Sequence, residues 1–225
     1  MIAPVEGVFV TGTGTEVGKT VVAAAIARTL AAEGRSVAVF KPAVTGLEEE
    51  VESDHALLRR AARSGQRDEE IAPYRYGPPA SPHLAAALAG EEIEPERLRT
   101  AAEAAAAGAE AIVCEGVGGL LVPLAESYLV RDLAADLGYP LVVAASPGLG
   151  TINHTLLTLE AARAAGLAIA AVVLGPWPAQ PSRIERSNRE TIASLGRVEV
   201  LTLPQLDLAE PDGWPPLRAR LSRGG

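Results

Sequence analysis

The feature that most constrains this chain is a glycine-rich stretch, GTGTEVGKT, at residues 12–20. It follows a short apolar run at residues 8–10, which predicts a strand, and precedes an alanine-rich run that predicts a helix. A strand, a glycine loop ending in Gly-Lys-Thr, and a helix form the local pattern of a phosphate-binding loop. Glycines expose backbone N–H groups to an anion, and the helix directs the positive end of its dipole at the same point. The stretch therefore predicts a nucleotide site, in preference to an ordinary glycine-rich turn before a helix.

The spacing inside this loop departs from the usual G-x-x-x-x-G-K-[ST] pattern. Its first glycine is Gly12, where the pattern requires glycine at the position of Thr13, so the loop is one residue longer. Lys19 would supply a mobile positive charge for the outer phosphates, and the hydroxyl of Thr20 suits Mg²⁺. The longer loop keeps both functional side chains in place at its end.

Apolar strands and helical segments alternate along the whole chain. This alternation predicts an α/β fold: a single P-loop NTPase-like domain over residues 1–225, with a mostly parallel sheet, helices on both faces and a tail from about residue 205. The predicted strands are residues 6–11, 36–40, 111–115, 140–145, 168–174 and 198–203. The predicted helices are residues 18–33, 54–63, 95–107, 129–137, 151–165 and 182–195, with another beginning at 81–83. The acidic run at 48–52 is interpreted as solvated surface.

Composition excludes several classes of function. A net charge of −8 and an aromatic content of 4% disfavour nucleic acid and anionic membranes as partners. The single cysteine, Cys114, allows no internal disulfide and lies in an apolar run, which favours a buried structural role and a cytoplasmic location. The first residues show no secretory signal pattern, and no apolar run is long enough to span a membrane.

Candidate site residues follow from the rule that ligands gather beyond the carboxyl ends of parallel strands. Lys41 directly follows a predicted strand, so it is expected near the phosphate loop, although lysines are usually surface residues. Glu115 ends another apolar strand, where it suits Mg²⁺; a capping or salt-bridged carboxylate is the alternative. Asp54 stands at a helix start, where a metal ligand and an N-terminal helix cap are both open interpretations.

Several of these segments together resemble the dethiobiotin synthetases. Residues 11–20 resemble the long phosphate loop of that family, and residues 41–46 (KPAVTG) resemble its next motif. Further matches follow in the same order at residues 53–54, 81–83, 115–119 and 150–154. The resemblance covers residues 8 to about 204, and the ordered set of motifs is more specific than any single motif.

The resemblance implies a reaction and its reactants. An ATP- and Mg²⁺-dependent ligase would join CO₂ to 7,8-diaminopelargonate through a carbamate, whose oxygen attacks the γ-phosphate of ATP. The second amine would then displace phosphate and close the ring of dethiobiotin. The family also implies a homodimer in which one subunit binds the carboxylate tail of the substrate held by the other.

The same resemblance implies roles for individual residues. The implied catalytic residues are Lys41, Lys19 and Glu16. The implied nucleotide contacts are Gly14, Thr15, Glu16, Val17, Gly18, Lys19, Thr20, Glu115, Gly118, Gly175 and Pro204. The implied metal ligands are Thr20, Asp54 and Glu115. The implied substrate contacts are Lys41, Thr45, Gly118, Leu149, Gly150, Thr151, Ile152 and Asn153.

One departure from the family pattern concerns the nucleobase. Members often carry an asparagine at the position of Gly175, and glycine offers no side-chain amide. The expected consequence is a weakened preference for ATP over CTP or GTP.

Two other functions share parts of the pattern. A regulatory ATPase of the partition or septum-site type usually carries a lysine at the position of Gly14, which counts against it. The cobyrinate-amidating branch needs an additional glutamine-hydrolysing domain, for which this chain has no room.

Overall fold

The structure is a computed structural model that describes residues 5–48 and 53–223. Its strands are β1 (Glu6–Gly12), β2 (Val37–Phe40), β3 (Ala43–Val44), β4 (Tyr74–Arg75), β5 (Ala111–Gly119), β6 (Pro123–Ala125), β7 (Tyr128–Leu129), β8 (Leu141–Ala145), β9 (Ile169–Trp177), β10 (Val200–Pro204) and β11 (Ser222–Arg223). Its helices are α1 (Lys19–Ala32), α2 (Asp54–Ala62), α3 (Asp68–Ile71), α4 (Pro82–Leu88), α5 (Pro95–Ala106), α6 (Val130–Leu137), α7 (Thr151–Ala164) and α8 (Arg183–Gly196), with a 3₁₀ turn at Pro211–Gly213.

Six parallel strands form the central sheet in the order β10-β9-β8-β1-β5-β2. Side chains alternate between its faces, so that Val8 and Val10 pack against α1 and α2 while Phe9 joins the cluster that includes α5 and α6. A third apolar cluster joins β8 and β9 to α7 and α8. The predicted α/β class, parallel sheet and two helical layers are therefore confirmed.

Glycines start the two helices that face the carboxyl edge of the sheet. Gly18 precedes α1 with φ of 84°, and Gly150 precedes α7 with φ of 88°, a left-handed conformation that side chains disfavour. Each glycine turns the chain sharply from a strand end into a helix N-terminus. The backbone N–H groups of both helix starts thus point toward this edge.

The structure corrects several sequence-based boundaries. β5 continues beyond residue 115 to Gly119, because Gly119 still pairs with Gly12 of β1 after a register shift. Similarly, β9 extends past Leu174 to Trp177, so that Gly175 lies inside a strand instead of after one. The short elements α3, β3, β4, β6 and β7 have too few residues to show a periodic pattern. The acidic run at 48–52 lies, apart from Glu48, outside the described residues.

The tail that begins at about residue 205 makes specific contacts with the body of the domain. Leu217 donates its backbone N–H to the buried Thr29 hydroxyl of α1 at 2.8 Å. The final strand, β11, pairs antiparallel with β1 through Glu6–Arg223 and Gly7–Ser222. Within the described part of the chain, no helix is both long and apolar enough to cross a membrane.

Candidate nucleotide and metal site

Two neighbouring cavities lie at the carboxyl edge of the sheet. The larger has a volume of about 1050 Å³, and the smaller about 110 Å³. Both are lined by Gly18, Val21 and Leu208, so they share a wall at the start of α1. The larger cavity is also lined by the predicted substrate contact Thr45 and by most of the predicted catalytic, metal and nucleotide residues: Thr15, Glu16, Lys19, Thr20, Lys41, Asp54, Glu115 and Gly118.

The phosphate loop is packed tightly at its first glycine. A Cβ atom at Gly12 would lie 2.7 Å from Val17 Cγ2 and 2.9 Å from Lys19 Cγ. The ammonium of Lys19 donates to the Gly14 carbonyl at 2.8 Å, which folds the side chain back over the loop. Glu16 is exposed with φ of 59°, an uncommon conformation for a residue with a side chain. The Lys19 side chain therefore lies over the loop, beside the helix start where a phosphate would bind.

Three elements bring oxygen ligands together beside this loop. The Thr20 hydroxyl of α1 lies 2.8 Å from Asp54 Oδ1 of α2 and 2.9 Å from Glu115 Oε1 of β5. The ammonium of Lys41, just after β2, donates to Glu115 at 2.7 Å and also to Asp54. Ser53 caps no helix N–H through its side chain, and Asp54 is the first residue of α2 instead of its cap. The sequence-based capping interpretation of Asp54 is therefore wrong.

Burial and mutual pairing determine the pKa values of this cluster. Burial, opposed in part by Lys41, raises the pKa of Glu115, whose side chain is 0% exposed. Burial alone would lower the pKa of Lys41, but Glu115 and Asp54 together raise it. Burial would raise the pKa of Asp54, yet Lys41 and the Thr20 hydroxyl lower it. Burial lowers the pKa of Lys19, with Glu115 acting against it. The cluster is thus a strongly coupled set of two carboxylates and two ammonium groups.

The donor set fits Mg²⁺. Glu115 Oε2 is buried without any hydrogen-bond partner, so it is an oxygen available to a cation. Among the described residues there is no group of three or more Asp, Glu, His or Cys side chains that could hold a metal. Two carboxylates and a hydroxyl are nevertheless what Mg²⁺ takes from proteins when phosphates and waters complete its shell.

The remaining predicted substrate residues lie outside the larger cavity. Leu149, Gly150, Thr151, Ile152 and Asn153 form the loop after β8 and the first turn of α7, and none of them lines it. Leu149 is 97% exposed, and Gly150 and Asn153 are also exposed. Residues 149–153, predicted to bind the carboxylate tail of the substrate and called here the tail-binding loop, are thus separate from Lys41 and Thr45 of the same chain.

The smaller cavity is lined by two of the nucleotide contacts that the family resemblance implies. Gly175 and Pro204 line it together with Val17 and Gly18 of the phosphate loop. It is also lined by Gln205, which the sequence analysis did not select because a lone glutamine after a strand is ordinary. Ser81 and Leu208 of the larger cavity were likewise not selected, although Ser81 belongs to a motif that the family resemblance had indicated.

Comparison with known proteins agrees with this arrangement. Residues 6–212 match a family model described as an AAA domain. The chain is 44% identical over 198 residues to the ATP-dependent dethiobiotin synthetase of Anaeromyxobacter dehalogenans (strain 2CP-1), covering 88% of this chain and 89% of that protein. It is 36% identical over 197 residues to the enzyme of the same name from Bacillus subtilis (strain 168), covering 87% and 85% respectively.

The chain belongs to the dethiobiotin synthetase family. The family resemblance read from the ordered motifs is thereby confirmed. Among solved structures, a ParA family ATPase from Chlorobium tepidum TLS aligns with a TM-score of 0.55 at 15% identity, covering 91% of this chain and 88% of that one. At that identity the likeness shows the P-loop fold that dethiobiotin synthetases share with such ATPases, and does not favour a partition-type function.

Proposed function

We propose that this chain is an ATP-dependent dethiobiotin synthetase, a ligase of biotin biosynthesis that forms C–N bonds. Family membership at 36–44% identity over most of the chain carries this conclusion. The substrates are ATP, 7,8-diaminopelargonate and CO₂, and Mg²⁺ is the metal. The cluster of Thr20, Lys41, Asp54 and Glu115 beside the phosphate loop supports the same chemistry.

The cluster has the charges that phosphoryl transfer to a carbamate requires. Both reactants are anions, so their approach needs nearby positive charge that is fixed before the reaction. Lys19 lies over the phosphate loop, and Lys41 is paired with the buried Glu115 and the half-buried Asp54 in the same cavity. We infer that Lys19 binds the outer phosphates and that Lys41 stabilises the carbamate oxygen as it attacks the γ-phosphate.

The other residues of the larger cavity would position the reactants. Thr20, Asp54 and Glu115 would hold Mg²⁺, which supplies charge neutralisation and alignment of the phosphates. Thr45 and Gly118 would contact the diamine end of the substrate, while Gly14, Thr15, Val17 and Gly18 provide loop backbone for the phosphates. Glu16 is exposed at the rim of the cavity, where it would act near the metal or nucleotide.

A direct assay tests the reaction. Phosphate release is measured with ATP and Mg²⁺, alone and with the diamine and bicarbonate added singly or together. We expect release to rise well above the basal rate only when both are present, with dethiobiotin formed in equal amount. A basal rate that the diamine and bicarbonate leave unchanged would contradict the ligase function.

We further propose that the active form is a homodimer. The tail-binding loop is outside the cavity of its own chain, so another copy must supply it if residues 149–153 bind the substrate carboxylate. Exposed apolar side chains on α7 and α8, including Leu157, Ile184 and Leu195, support an intersubunit contact near this loop. The cytoplasmic location indicated by the sequence stays a prediction.

Mixing two inactive variants tests this arrangement. Lys41→Gln removes the catalytic ammonium, and Asn153→Asp places a negative charge where the substrate carboxylate is expected. If the site is shared, a mixed dimer contains one site with both changes and one site with neither. We therefore expect unfolding and refolding of the mixture to restore activity that neither variant has alone. Absence of recovery, with mixed dimers demonstrated by a size tag, would contradict the shared site.

A further inference from the structure

The turn that leads from β8 into the tail-binding loop is held by one side chain of α8. The Asn188 amide nitrogen donates to the Pro147 carbonyl at 3.0 Å and to the Gly148 carbonyl at 3.1 Å. Asn188 is buried, although asparagine disfavours helix interiors and a buried amide needs hydrogen-bond partners. The Gly148 carbonyl also accepts the Thr151 N–H of α7 at 3.3 Å. One amide therefore joins α8 to the turn and, through it, to the start of α7.

These two hydrogen bonds also fix the direction of the next backbone N–H groups. In a planar trans peptide, the carbonyl and the N–H that follows it point to opposite sides of the chain. Because the carbonyls of Pro147 and Gly148 both point toward Asn188, the N–H groups of Gly148 and Leu149 point away from it. Successive N–H groups that share a direction form a concave site for an anion.

This part of the chain has only backbone groups with which to attract an anion. Residues 146–153 (SPGLGTIN) contain no lysine or arginine. Gly150 precedes α7 without any side-chain cap, so the first N–H groups of the helix point toward the same loop. Backbone groups bind an anion well only while the loop keeps its shape, and glycines at 148 and 150 allow many other shapes. The loop therefore needs an anchor.

We propose that Asn188 is a positioning residue for the substrate: by holding the carbonyls of Pro147 and Gly148, it orients the N–H groups that bind the carboxylate of the diamine. The proposal rests on the proposed function, because that function places the carboxylate at the tail-binding loop. Asn188 acts from a buried position behind the loop and does not touch the substrate. Its effect should therefore appear only with a substrate that carries the carboxylate.

A comparison of two diamines tests this role. 2,3-Diaminononane has the same carbon chain and amines as 7,8-diaminopelargonate, but a methyl group replaces the carboxylate. Wild-type protein should favour the acid, and Asn188→Leu keeps the approximate size of the side chain without its N–H donors. In this variant the ratio of kcat/KM for the acid to kcat/KM for 2,3-diaminononane should fall by about tenfold, because hydrogen bonds to a charged group are weakened. The change should lie in KM for the acid, with KM for ATP unchanged.

The ratio separates positioning from a loss of folded protein. The same active molecules turn over both diamines, so the fraction that folds cancels. Arg189→Leu is the matched control, because Arg189 is the next residue of α8 and its side chain donates to the Val200 carbonyl of β10 at 3.4 Å instead of to the loop. We expect this control to keep the wild-type ratio.

An Asn188→Leu variant with the wild-type ratio, even at lower total activity, would overturn the assignment and leave Asn188 as a structural contact alone. Calorimetric titration with the two diamines gives the same comparison without turnover. If wild-type protein releases no diamine-dependent phosphate, the proposed function fails, while the ratio of the two binding constants still decides the role of Asn188. Absence of binding of the acid to wild-type protein would overturn both.

Discussion

Lys41 and Glu115 show how strand periodicity assembles the site. Val39 of β2 and Val113 of β5 both pack on the face covered by α1 and α2. Lys41 and Glu115 each come two residues later, so side-chain alternation places them on that same face. Their ion pair at 2.7 Å could therefore have been predicted from the sequence once the two strands were taken as neighbours.

Replacing Lys41 separates its catalytic and structural roles. Lys41→Gln should lower kcat by at least about a hundredfold, because a preorganised charge at the reacting oxygens is lost. It also leaves Glu115 buried without its cation, so the free energy of unfolding should fall by about 2–4 kcal/mol. Steady-state rates and urea unfolding at the same pH measure the two effects. Near-wild-type turnover in a folded variant would contradict the catalytic role.

The first loop glycine should be less tolerant of a side chain than the second. Gly12→Ala places a methyl group against Val17 and Lys19, which should cost about 1–3 kcal/mol of stability and displace the Lys19 side chain. Gly14→Ala is the matched control, because a Cβ there meets nothing within 4 Å. Urea unfolding of both variants measures the difference, and equal stability losses would show that packing at Gly12 is not the cause.

At the level of elements, the edge strand β2 depends on a side chain for part of its pairing. The Gln66 amide accepts from the Val39 N–H at 2.8 Å and donates to the Val39 carbonyl at 3.0 Å. One glutamine thus reproduces the hydrogen bonds that a neighbouring strand would make. It also blocks part of an exposed edge that could otherwise pair with another chain.

Removing this amide should therefore weaken the edge of the sheet. Gln66→Leu is expected to lower the free energy of unfolding by about 1–3 kcal/mol, since two hydrogen bonds are lost and two backbone groups lose their partner. Gln180→Leu, at an exposed loop position, is the control. Unfolding in urea compares the two variants. A Gln66→Leu midpoint equal to that of the control would mean that water replaces the amide without cost.

The long elements were predictable and the short ones were not, for a physical reason. Apolar runs such as β8 and alanine-rich helices such as α1 carry a periodic signal over several residues. The two-residue strands β3 and β4 form only because two loops meet and pair, Ala43 with Tyr74 and Val44 with Arg75. Two residues are too few to show a periodic sequence pattern. The position of Gln205 at a cavity required the return of β10 beside β9, a tertiary fact that no spacing in the sequence contains.

At the scale of the whole molecule, Cys114 reports on the integrity of the sheet. Its side chain is fully buried in β5, and burial raises the pKa of its thiol. Alkylation by iodoacetamide should therefore be at least about a thousandfold slower than for free cysteine, because reaction requires the domain to open. Mass spectrometry over time, with and without denaturant, measures the rate. Reaction near the rate of the free amino acid would show that the centre of the sheet opens locally.

The pairing of β1 has a consequence for the order in which the molecule is made. β1 is the first strand to be synthesised, yet its partners β5, β8 and β11 begin at Ala111, Leu141 and Ser222. It does not pair with β2, the next strand along the chain. While the polypeptide is still emerging from the ribosome, this buried strand therefore stays unpaired until residues 111–119 have been made, exposed to the chaperones that bind such segments.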